Sequence, residues 1–530
     1  MPSSSPALSL PLAARVLAAA LLLVPLAPAL AAAPAGRVAW LPAASDAEVD
    51  RAFAIAKAEG KPVFLYWGAV WCPPCNQVKA TLFNRPDFVE RSRAFVPVYV
   101  DGDKPGAQKI ASRFKVSGYP TMVLFKPDGT EVTRLPGEVD PERYLLTLTA
   151  GMEAQLPVKE LVRRAVAGQA LSAEQWRLLA YYSWDTDEQQ VLPTAQLAAT
   201  LAKLAAAAPA GAGSLRDRLA LKALAAASRA EGKPDPAAQT AGLQLLDRVL
   251  ADPAAVRALA DVLAGYADGI ARHVAAGAAR RDLALRWEAA LARLADDPSL
   301  SRSERIDVLD ARVSLWKIAS EPQPLDNARR EQVRQEVARI VAGATDRYER
   351  QAVVPNAASV LAEAALLDQS DALLKAELGR AVAPYYHMLG LAGNAKKRGD
   401  TKAALDWYEQ AWRKSEGPAT RIQWGTGYVG HVLEMTPADL KRVEAAGSAL
   451  VAELAPRGET FYERNQRSLQ RLAGKLAKWK GEDAGRAKVV AGLQGKLAKV
   501  CGKLPAKDPG RANCDKVFQA AATKPSSPAV

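Results

Sequence analysis

The sequence is poor in the residues that bind transition metals. Its 530 residues include four cysteines, three histidines (His273, His387 and His431) and five methionines. Cys72 and Cys75 lie close together, whereas the other two cysteines are more than 400 positions further on. A structural zinc ion needs four protein ligands, and copper(I) favours clusters of thiolate, thioether or imidazole groups. The composition therefore disfavours a zinc site and a copper chaperone, and we predict that the protein uses no cofactor.

The sequence also lacks long apolar runs, except at its start. After residue 33 no segment has the roughly 20 apolar residues that cross a bilayer. The first 33 residues combine Arg15, the apolar run VLAAALLLVPLAPAL and small residues with A-x-A spacing at Ala29–Ala31, which is typical of a signal peptide. Because the sequence looks bacterial, we predict cleavage near Ala31–Ala33 and a periplasmic location. An uncleaved anchor is the alternative, although Pro25 and Pro28 interrupt the run.

No nucleotide or flavin motif is present, and the charge is distributed unevenly. The formal net charge is +13, and residues 457–530 contain 16 Lys and Arg against 6 Asp and Glu, which puts +10 in this segment. Nucleic acid is the usual first candidate for a basic tail, but an exported protein does not meet it, so we predict no nucleic acid partner. The remaining candidates are an acidic protein or the anionic membrane surface, with ordinary solvated helix faces as the plainer alternative.

The sequence pattern predicts two structural classes in one chain. Residues 37–152 alternate short apolar runs with amphipathic segments, as expected for an α/β domain. The predicted strands are VAWL, PVFLYW, FVPVYVD and a hairpin of TMVLFK with EVTRL, and helices are predicted to begin near Ser45, Cys72 and Asp140. Residues 157–455 indicate helices separated by short breaks, and residues 456–530 a basic helical C-terminal region. Short amphipathic helices cannot bury their apolar faces alone, so we predict a solenoid of stacked helical hairpins.

One helical hairpin can be placed in detail. The segment MLGLAGNAKKRGDTKAALDWYEQAWRKS predicts two helices joined by a turn at Gly399. The positions of its small and large packing residues resemble a tetratricopeptide repeat, namely Leu391, Ala392, Ala404, Tyr408 and Ala411. We therefore predict a tetratricopeptide-like all-α region with an open number of repeats.

The chemistry of the sequence is concentrated in FLYWGAVWCPPCNQVK, residues Phe64–Lys79. Cys72 stands where an apolar strand gives way to a helix, so its sulfur faces free backbone N–H groups and the positive end of the helix dipole, which favour a thiolate. A thiolate attacks disulfides, and Cys75, one helical turn on, can then resolve the mixed disulfide. The spacing predicts a redox-active pair, with a permanently closed structural disulfide as an alternative.

The two prolines between the cysteines adjust this expectation. Pro73 and Pro74 fit the first helical turn, because that turn has no intrahelical use for the missing N–H groups. They also remove two donors, so that Cys72 keeps chiefly the N–H and thiol of Cys75 as partners. We therefore expect only a modest fall in the pKa of Cys72, and a reducing pair.

The motifs of this segment resemble a known family. WCPPC after a buried strand, VSGYPT before the next strand and the hairpin that follows look like the thioredoxin fold. GKPVFLYWGAVWC, LFNRPDFVERSRAFVPVYVDGD and GYPTMVLFKPDG are most similar to the periplasmic C-terminal domain of the transmembrane disulfide reductase family, and to thioredoxin-7-type domains. The resemblance implies Cys72 as the exposed nucleophile and Cys75 as the resolving cysteine. It also implies a cis bond before Pro120 and a groove for an extended substrate chain, lined by Trp71, Gly118, Tyr119, Pro120 and Gly137.

The sequence departs from this family at Tyr66. Thioredoxins usually have an acidic residue at this place, six positions before the first cysteine, where it helps to move the proton of the resolving thiol. Proton transfer at Cys75 would then use water, the Tyr66 hydroxyl, or a carboxylate such as Asp101 or Glu59.

The remaining cysteines have a different setting. Cys501 and Cys514 flank the loop GKLPAKDPGRAN, and an exported protein meets an oxidising compartment. We predict that they form a structural disulfide that ties down the C-terminal region.

These features predict an exported thiol–disulfide oxidoreductase and, given the prolines and the resemblance, a protein disulfide reductase. Its substrates would be protein thiols and disulfides, and its electron donor a protein such as an inner-membrane disulfide reductase. The helical region would hold substrates or dock the donor. Two alternatives stay open: a periplasmic binding scaffold or chaperone in which the cysteines are incidental, and a dedicated thiol-transfer component, for instance in cytochrome c maturation.

Overall fold

The structure, a computed structural model, describes residues 36–137, 140–230 and 234–519. The predicted signal peptide, residues 1–33, lies outside the described residues. The strands of the described part all fall between Leu41 and Leu135, and helices alone follow them. This confirms the predicted fold class, an N-terminal α/β domain followed by an all-α region.

The α/β domain is built on one five-stranded sheet with the strand order β1-β3-β2-β4-β5. Strand β3 pairs in parallel with β1 and β2, whereas β4 pairs antiparallel with β2 and β5. The strands are β1 (Leu41–Ala43), β2 (Val63–Gly68), β3 (Val96–Asp101), β4 (Thr121–Phe125) and β5 (Glu131–Leu135).

The first strand begins later than predicted. The sequence predicts VAWL as a strand, but β1 is Leu41–Ala43. Trp40 instead packs its ring against Phe64, Tyr66 and Phe83, with centroid distances of 5.0 to 6.0 Å. Pro42 lies in β1, which is an edge strand, and proline is tolerated there because one side of the strand has no pairing partner.

Helices pack on both faces of the sheet because β2 is apolar on both. Alternate residues of a strand point to opposite faces. The helices of this domain are α1 (Asp46–Glu59), α2 (Pro73–Val78), α3 (Pro86–Arg91), α4 (Ala107–Phe114) and α5 (Pro141–Glu153). Val63, Leu65 and Trp67 belong to the core beneath α1 and α4, and Phe64 and Tyr66 to the core beneath α3 and α5. A π-helical turn, Lys79–Phe83, continues α2.

Side chains cap the helices where the sequence predicts starts. The Ser45 hydroxyl accepts a hydrogen bond from the Glu48 N–H at the start of α1. The Asp140 carboxylate accepts from the N–H groups of Glu142 and Arg143 at the start of α5. Such caps satisfy N–H groups that lack a partner within the helix.

The all-α region continues with helices joined by short loops. Its helices are α6 (Val158–Val166), α7 (Ala173–Ala180), α8 (Thr194–Ala207), α9 (Ser214–Ser228), α10 (Pro236–Ala251), α11 (Pro253–Ala258), α12 (Ala260–Gly265), α13 (Ala267–Val274), α14 (Gly277–Ala292), α15 (Arg302–Ser320), α16 (Asn327–Gly343), α17 (Arg347–Glu363), α18 (Leu367–Glu377), α19 (Pro384–Lys397), α20 (Thr401–Lys414), α21 (Pro418–Met435), α22 (Leu440–Glu453), α23 (Glu463–Lys480), α24 (Ala484–Gly502) and α25 (Pro509–Asp515). No helix within the described ranges is both long and apolar enough to cross a membrane.

The helical hairpin predicted in detail corresponds to α19 and α20. Gly399 lies between the two helices with φ of 77°, a conformation that glycine adopts without strain. Ala392 and Ala404 are completely buried between them. Whether this pair or any other helix pair is a tetratricopeptide-like repeat stays a prediction.

A disulfide joins Cys501, near the end of α24, to Cys514 in α25. Both sulfurs lie in an apolar cluster with Leu454, Phe461 and Leu497. The cross-link therefore fastens the last two described helices to each other, and the apolar cluster packs them against the preceding ones.

Removing this disulfide is expected to loosen the C-terminal helices. Closing a loop of this length contributes about 3 kcal/mol, which is roughly a hundredfold in an opening equilibrium. In a Cys501→Ser/Cys514→Ser variant, amide hydrogen exchange in α24 and α25 should accelerate by about that factor, while exchange in α14 should not change. Equal protection of α24 in both proteins would show that the disulfide contributes little.

Candidate active site

The junction of β2 and α2 positions the two cysteines. β2 ends at Gly68, and Cys72 is the N-cap of α2, where its Sγ accepts a hydrogen bond from the Cys75 N–H at 3.3 Å. The Asn76 side chain holds the turn by donating to the carbonyls of Val70 and Cys72, at 2.8 and 2.9 Å. Pro73 and Pro74 occupy the first turn of α2. Both cysteines are free thiols.

Both thiols are buried, which corrects the expectation of an exposed nucleophile. Cys72 is 3% exposed and Cys75 is completely buried. They share an apolar cluster with Tyr385 and Met388 of α19 and Trp424 of α21. Burial raises the pKa of Cys72 well above its ordinary value, so the expected modest fall does not occur in this state.

Trp71 lies in the dithiol loop, residues 69–72 between β2 and α2, and joins it to the all-α region. Its indole N–H donates to the Asp103 carboxylate at 3.0 Å and to the Thr420 hydroxyl at 2.6 Å. Its ring stacks on Tyr386 at 5.7 Å and meets Trp424 edge to face at the same distance. The residue before the nucleophile is thus held by helices far away in sequence.

Asp103 links the two parts of the chain from the α/β side. Its carboxylate accepts a hydrogen bond from the Thr420 N–H at 2.9 Å, at the start of α21, besides its bonds with the Thr420 hydroxyl and Trp71. A free helix N-terminus favours a negative group. At the N-cap of α21, a Cβ at Gly417 would lie 2.5 Å from that of Asp103, so only glycine fits there. Burial, with a contribution from Asp101, raises the pKa of Asp103 to about 6.

Arg464, at the start of α23, covers the loop before the cis proline. Its guanidinium lies 4.7 Å from the Tyr119 ring and donates to the Ser117 carbonyl at 3.3 Å. Its backbone N–H donates to the Gln108 side chain at 3.1 Å. A guanidinium packed on an aromatic face in a shielded place is a favourable contact.

Helix α17 contacts the other side of the dithiol loop. The Gln351 side chain donates to the Trp71 carbonyl at 3.2 Å and accepts from the Ala383 N–H at 3.2 Å. The Lys79 ammonium lies 5.8 Å from the Tyr348 ring. We call the residues of the all-α region that lie over Trp71 and the dithiol the cover: Gln351, Tyr386, Thr420, Trp424 and Arg464.

The residues expected to line a substrate groove lie together. The Tyr119–Pro120 bond is cis. A Cβ at Gly137 would approach the Pro120 ring to 2.9 Å, so a side chain there would push it aside. The Gly118 carbonyl accepts from the Thr121 hydroxyl, and the Tyr119 ring meets Trp71 edge to face at 5.7 Å. Because the cover packs on Trp71 and Tyr119, this groove is closed on that side.

The three residues named for proton transfer lie in different places. Tyr66 is buried, interacts electrostatically with Cys75, and its hydroxyl has no well-formed hydrogen bond to the described residues. Asp101 pairs in register with Gly68, at the end of β2 that leads to the cysteines. Glu59 precedes β2 at its opposite end, about 20 Å away by strand length, and pairs with Lys61. The prediction for Glu59 is therefore wrong.

Sequence reasoning missed Asp103, the cover residues and Lys79. Asp103 follows a buried strand in VYVDGD, and the ends of the parallel strands β2 and β3 meet at one edge of the sheet. That pattern could have identified it. Nothing in the local sequence identifies Gln351, Thr420 or Arg464 as neighbours of Trp71.

Comparisons with known proteins match the N-terminal α/β part of the chain. A family model described as a thioredoxin-like domain matches residues 49–151. Thiol:disulfide interchange protein DsbD 2 of Pseudomonas aeruginosa is 33% identical over 111 residues, which are 20% of this chain and 19% of that protein. DsbD of Pseudomonas fluorescens is 34% identical over 115 residues, 21% of this chain and 20% of that protein. A solved thioredoxin from Thermus thermophilus is 30% identical, with a TM-score of 0.19, and the match covers 21% of this chain and 83% of that one.

Residues 49–151 are a thioredoxin-like domain. The match spans about a fifth of the length of the interchange proteins, and the all-α region lies outside it. The nearby pair Cys72 and Cys75 suggests thiol–disulfide oxidoreductase activity for this domain.

The cover should slow the reaction of Cys72 with alkylating reagents. In a Cys75→Ser background, Thr420→Val removes the hydroxyl that joins Trp71 to Asp103 while keeping the side-chain shape. Losing hydrogen bonds to a charged group should raise the rate of alkylation by a maleimide by about tenfold. Thr426→Val, which removes a hydroxyl bonded only to a carbonyl of its own helix, is the matched control. If Cys72 of the folded protein were alkylated as fast as in the urea-unfolded chain, the cover would not shield it.

The raised pKa of Asp103 predicts that acid stabilises the covered state. Released from the cover, Asp103 returns toward its ordinary pKa of 3.8, so the covered state binds its proton more tightly. The stabilisation of the covered state by the Asp103 proton is fully present below pH 4 and is lost as the pH rises to about 6. It amounts to at most about 3 kcal/mol. The opening free energy from hydrogen exchange at the Arg464 N–H should show this fall, and Asp103→Asn should remove it. A wild-type profile that is flat between pH 4 and 6 would refute the assignment.

Proposed function

We propose that the protein is an exported, periplasmic thiol–disulfide oxidoreductase that reduces protein disulfides. The observation that carries the proposal is the placement of Cys72 at the N-terminus of α2, bonded to the Cys75 N–H and held beside the cis-Pro120 loop by the Trp71–Tyr119 contact. Helix N-termini favour thiolates, and a second thiol one turn away can resolve a mixed disulfide. The similarity to thiol:disulfide interchange proteins supports the same chemistry.

The reaction would proceed in two exchanges. The Cys72 thiolate attacks one sulfur of a substrate disulfide, the S–S bond breaks, and the other substrate sulfur leaves as a thiolate that takes up a proton. Cys75 then loses its proton and attacks Cys72, which releases the second substrate thiol and leaves a Cys72–Cys75 disulfide. Two electrons pass to the substrate. A dithiol donor, such as an inner-membrane disulfide reductase, would restore the pair by the same exchange in reverse.

Three groups are candidates for proton transfer at the pair. The Tyr66 hydroxyl adjoins Cys75, and the Lys79 ammonium favours its thiolate form. Asp103, with a pKa of about 6, lies on the far side of Trp71 and shares the edge of the sheet with Asp101. A carboxyl group with a pKa near 6 exchanges protons readily at the pH of the periplasm.

The cover must move for this reaction to occur. A protein disulfide cannot reach Cys72 while Trp71 is packed against α19 and α21. We infer that the all-α region acts as the gate of the dithiol, and that docking of a substrate or of the electron donor lifts it. The tetratricopeptide-like surface and the basic C-terminal region are the candidate docking sites, for proteins or, in the basic region, for an anionic membrane surface.

A second candidate function is a binding scaffold in which the thioredoxin-like domain is only a structural part. The burial of both thiols favours it, because a permanently closed interface would keep them unreactive. A thiol-transfer component dedicated to one client is a narrower form of the first proposal.

A Cys75→Ser variant distinguishes these functions. Without the resolving thiol, clients of an oxidoreductase should accumulate as mixed disulfides on Cys72, seen as reductant-sensitive bands on non-reducing gels of periplasmic extract. Many bands indicate a general reductase and one band a dedicated component. Cys72→Ser/Cys75→Ser is the control and should trap nothing. If Cys75→Ser also traps nothing, the scaffold is favoured and the proposed exchange is refuted.

A further inference from the structure

A cavity of about 230 Å³ lies next to the cover, within the all-α region. It is formed by the start of α17, the segment after α18 and the first turn of α19. The residues of its wall that matter here are Arg347, Arg350, Gln351, Glu377, Arg380 and His387. None of them belongs to the thioredoxin-like domain.

The wall of the cavity carries excess positive charge. Glu377 accepts hydrogen bonds from both Arg350 and Arg380. The Nη1 group of Arg350 donates to the carbonyls of Val341 and Ala344. Arg347 is exposed and has no carboxylate partner within the described residues. Three guanidinium groups against one carboxylate leave a surplus of two positive charges, which favours an anion.

A buried histidine adds a second requirement on the ligand. His387 is 1% exposed, and its Nδ1 is 3.4 Å from the Ala383 carbonyl. Its Nε2 is buried and has no hydrogen-bond partner within the described residues. Burial lowers the pKa of His387, so the ring is neutral near pH 7 and, with Nδ1–H facing Ala383, Nε2 is an acceptor. An unpaired buried acceptor is costly, and a ligand that donates an O–H would satisfy it.

We propose that this cavity binds a small oxyanion that carries a hydroxyl group, and that binding stabilises the covered state of the dithiol. The anionic oxygens face Arg347 and Arg380, and the hydroxyl donates to His387 Nε2. Hydrogenphosphate has both features at neutral pH, as do small hydroxycarboxylates and phosphate monoesters. The guanidinium fork matches such oxygens in geometry as well as charge.

A short chain of hydrogen bonds joins the cavity to the dithiol loop. His387 contacts the Ala383 carbonyl, the Ala383 N–H donates to Gln351, and Gln351 donates to the Trp71 carbonyl, one residue before Cys72. A ligand that bridges α17 and α19 holds Gln351 and Ala383 in this arrangement. A ligand that binds the covered state more tightly than the open state must shift the equilibrium between them toward the covered state.

Inorganic phosphate is the probe for the first half of the proposal. Calorimetry on the full chain should detect binding of phosphate at pH 7, with chloride at equal ionic strength as the reference. Arg347→Gln and Arg380→Gln should each weaken binding by about tenfold or more, since each removes a charge-assisted hydrogen bond. Arg281→Gln, at an exposed position on α14, should leave it unchanged. Absence of phosphate binding, or equal binding by the Arg347→Gln/Arg380→Gln protein, would overturn the proposal.

The alkylation rate of Cys72 tests the second half. In the Cys75→Ser background, saturating phosphate should slow the reaction of Cys72 with a maleimide severalfold, and Arg347→Gln/Arg380→Gln should abolish the slowing. Binding without any change in this rate would overturn the coupling. Neither readout depends on turnover of a disulfide substrate, so failure here is distinguishable from failure of the proposed function.

Discussion

The packing of the all-α region on the dithiol loop depends on the hydrogen bonds that the Asp103 carboxylate accepts. It lies half-buried between the edge of the sheet and the start of α21, and it receives the indole N–H of Trp71 together with the N–H and hydroxyl of Thr420. A carboxylate shielded from water is costly unless donors surround it. The two parts of the chain supply those donors jointly, so separating them exposes an acid that the covered state holds with a raised pKa.

The same contact explains why the chemistry of the dithiol differs from what its local sequence suggests. In isolation, the N-terminus of α2 and the Cys75 N–H favour a Cys72 thiolate. In the chain, Trp71 is held between Tyr119, Tyr386 and Trp424, and water is excluded from the sulfur. Burial then dominates and raises the pKa of Cys72. In the covered state the reactivity of Cys72 therefore depends on the cover as well as on the CPPC motif, and any movement of the cover would change both access to the sulfur and its ionisation.

How much could be predicted from the sequence depends on how far apart the interacting residues are. The apolar run of β2, the N-cap position of Cys72 and the caps Ser45 and Asp140 are local, and the sequence indicates them directly. Strand β1 begins later than the apolar pattern predicts, because Trp40 packs its ring on Phe64, Tyr66 and Phe83 instead. The Asp103–Thr420 and Trp71–Gln351 contacts span 317 and 280 residues. An amphipathic helix shows which of its faces is apolar, but not which surface that face will meet.

We infer that a substrate disulfide reaches Cys72 only when the cover is lifted. Two backbone N–H groups report on this directly, because those of Thr420 and Arg464 donate across the contact to Asp103 and Gln108. The decisive measurement is their hydrogen exchange in the free Cys75→Ser protein and in its mixed disulfide with a bound peptide. Both groups should be protected in the free protein and should exchange much faster in the mixed disulfide, while exchange in α14 should not change. A mixed disulfide in which both groups stay protected would contradict it.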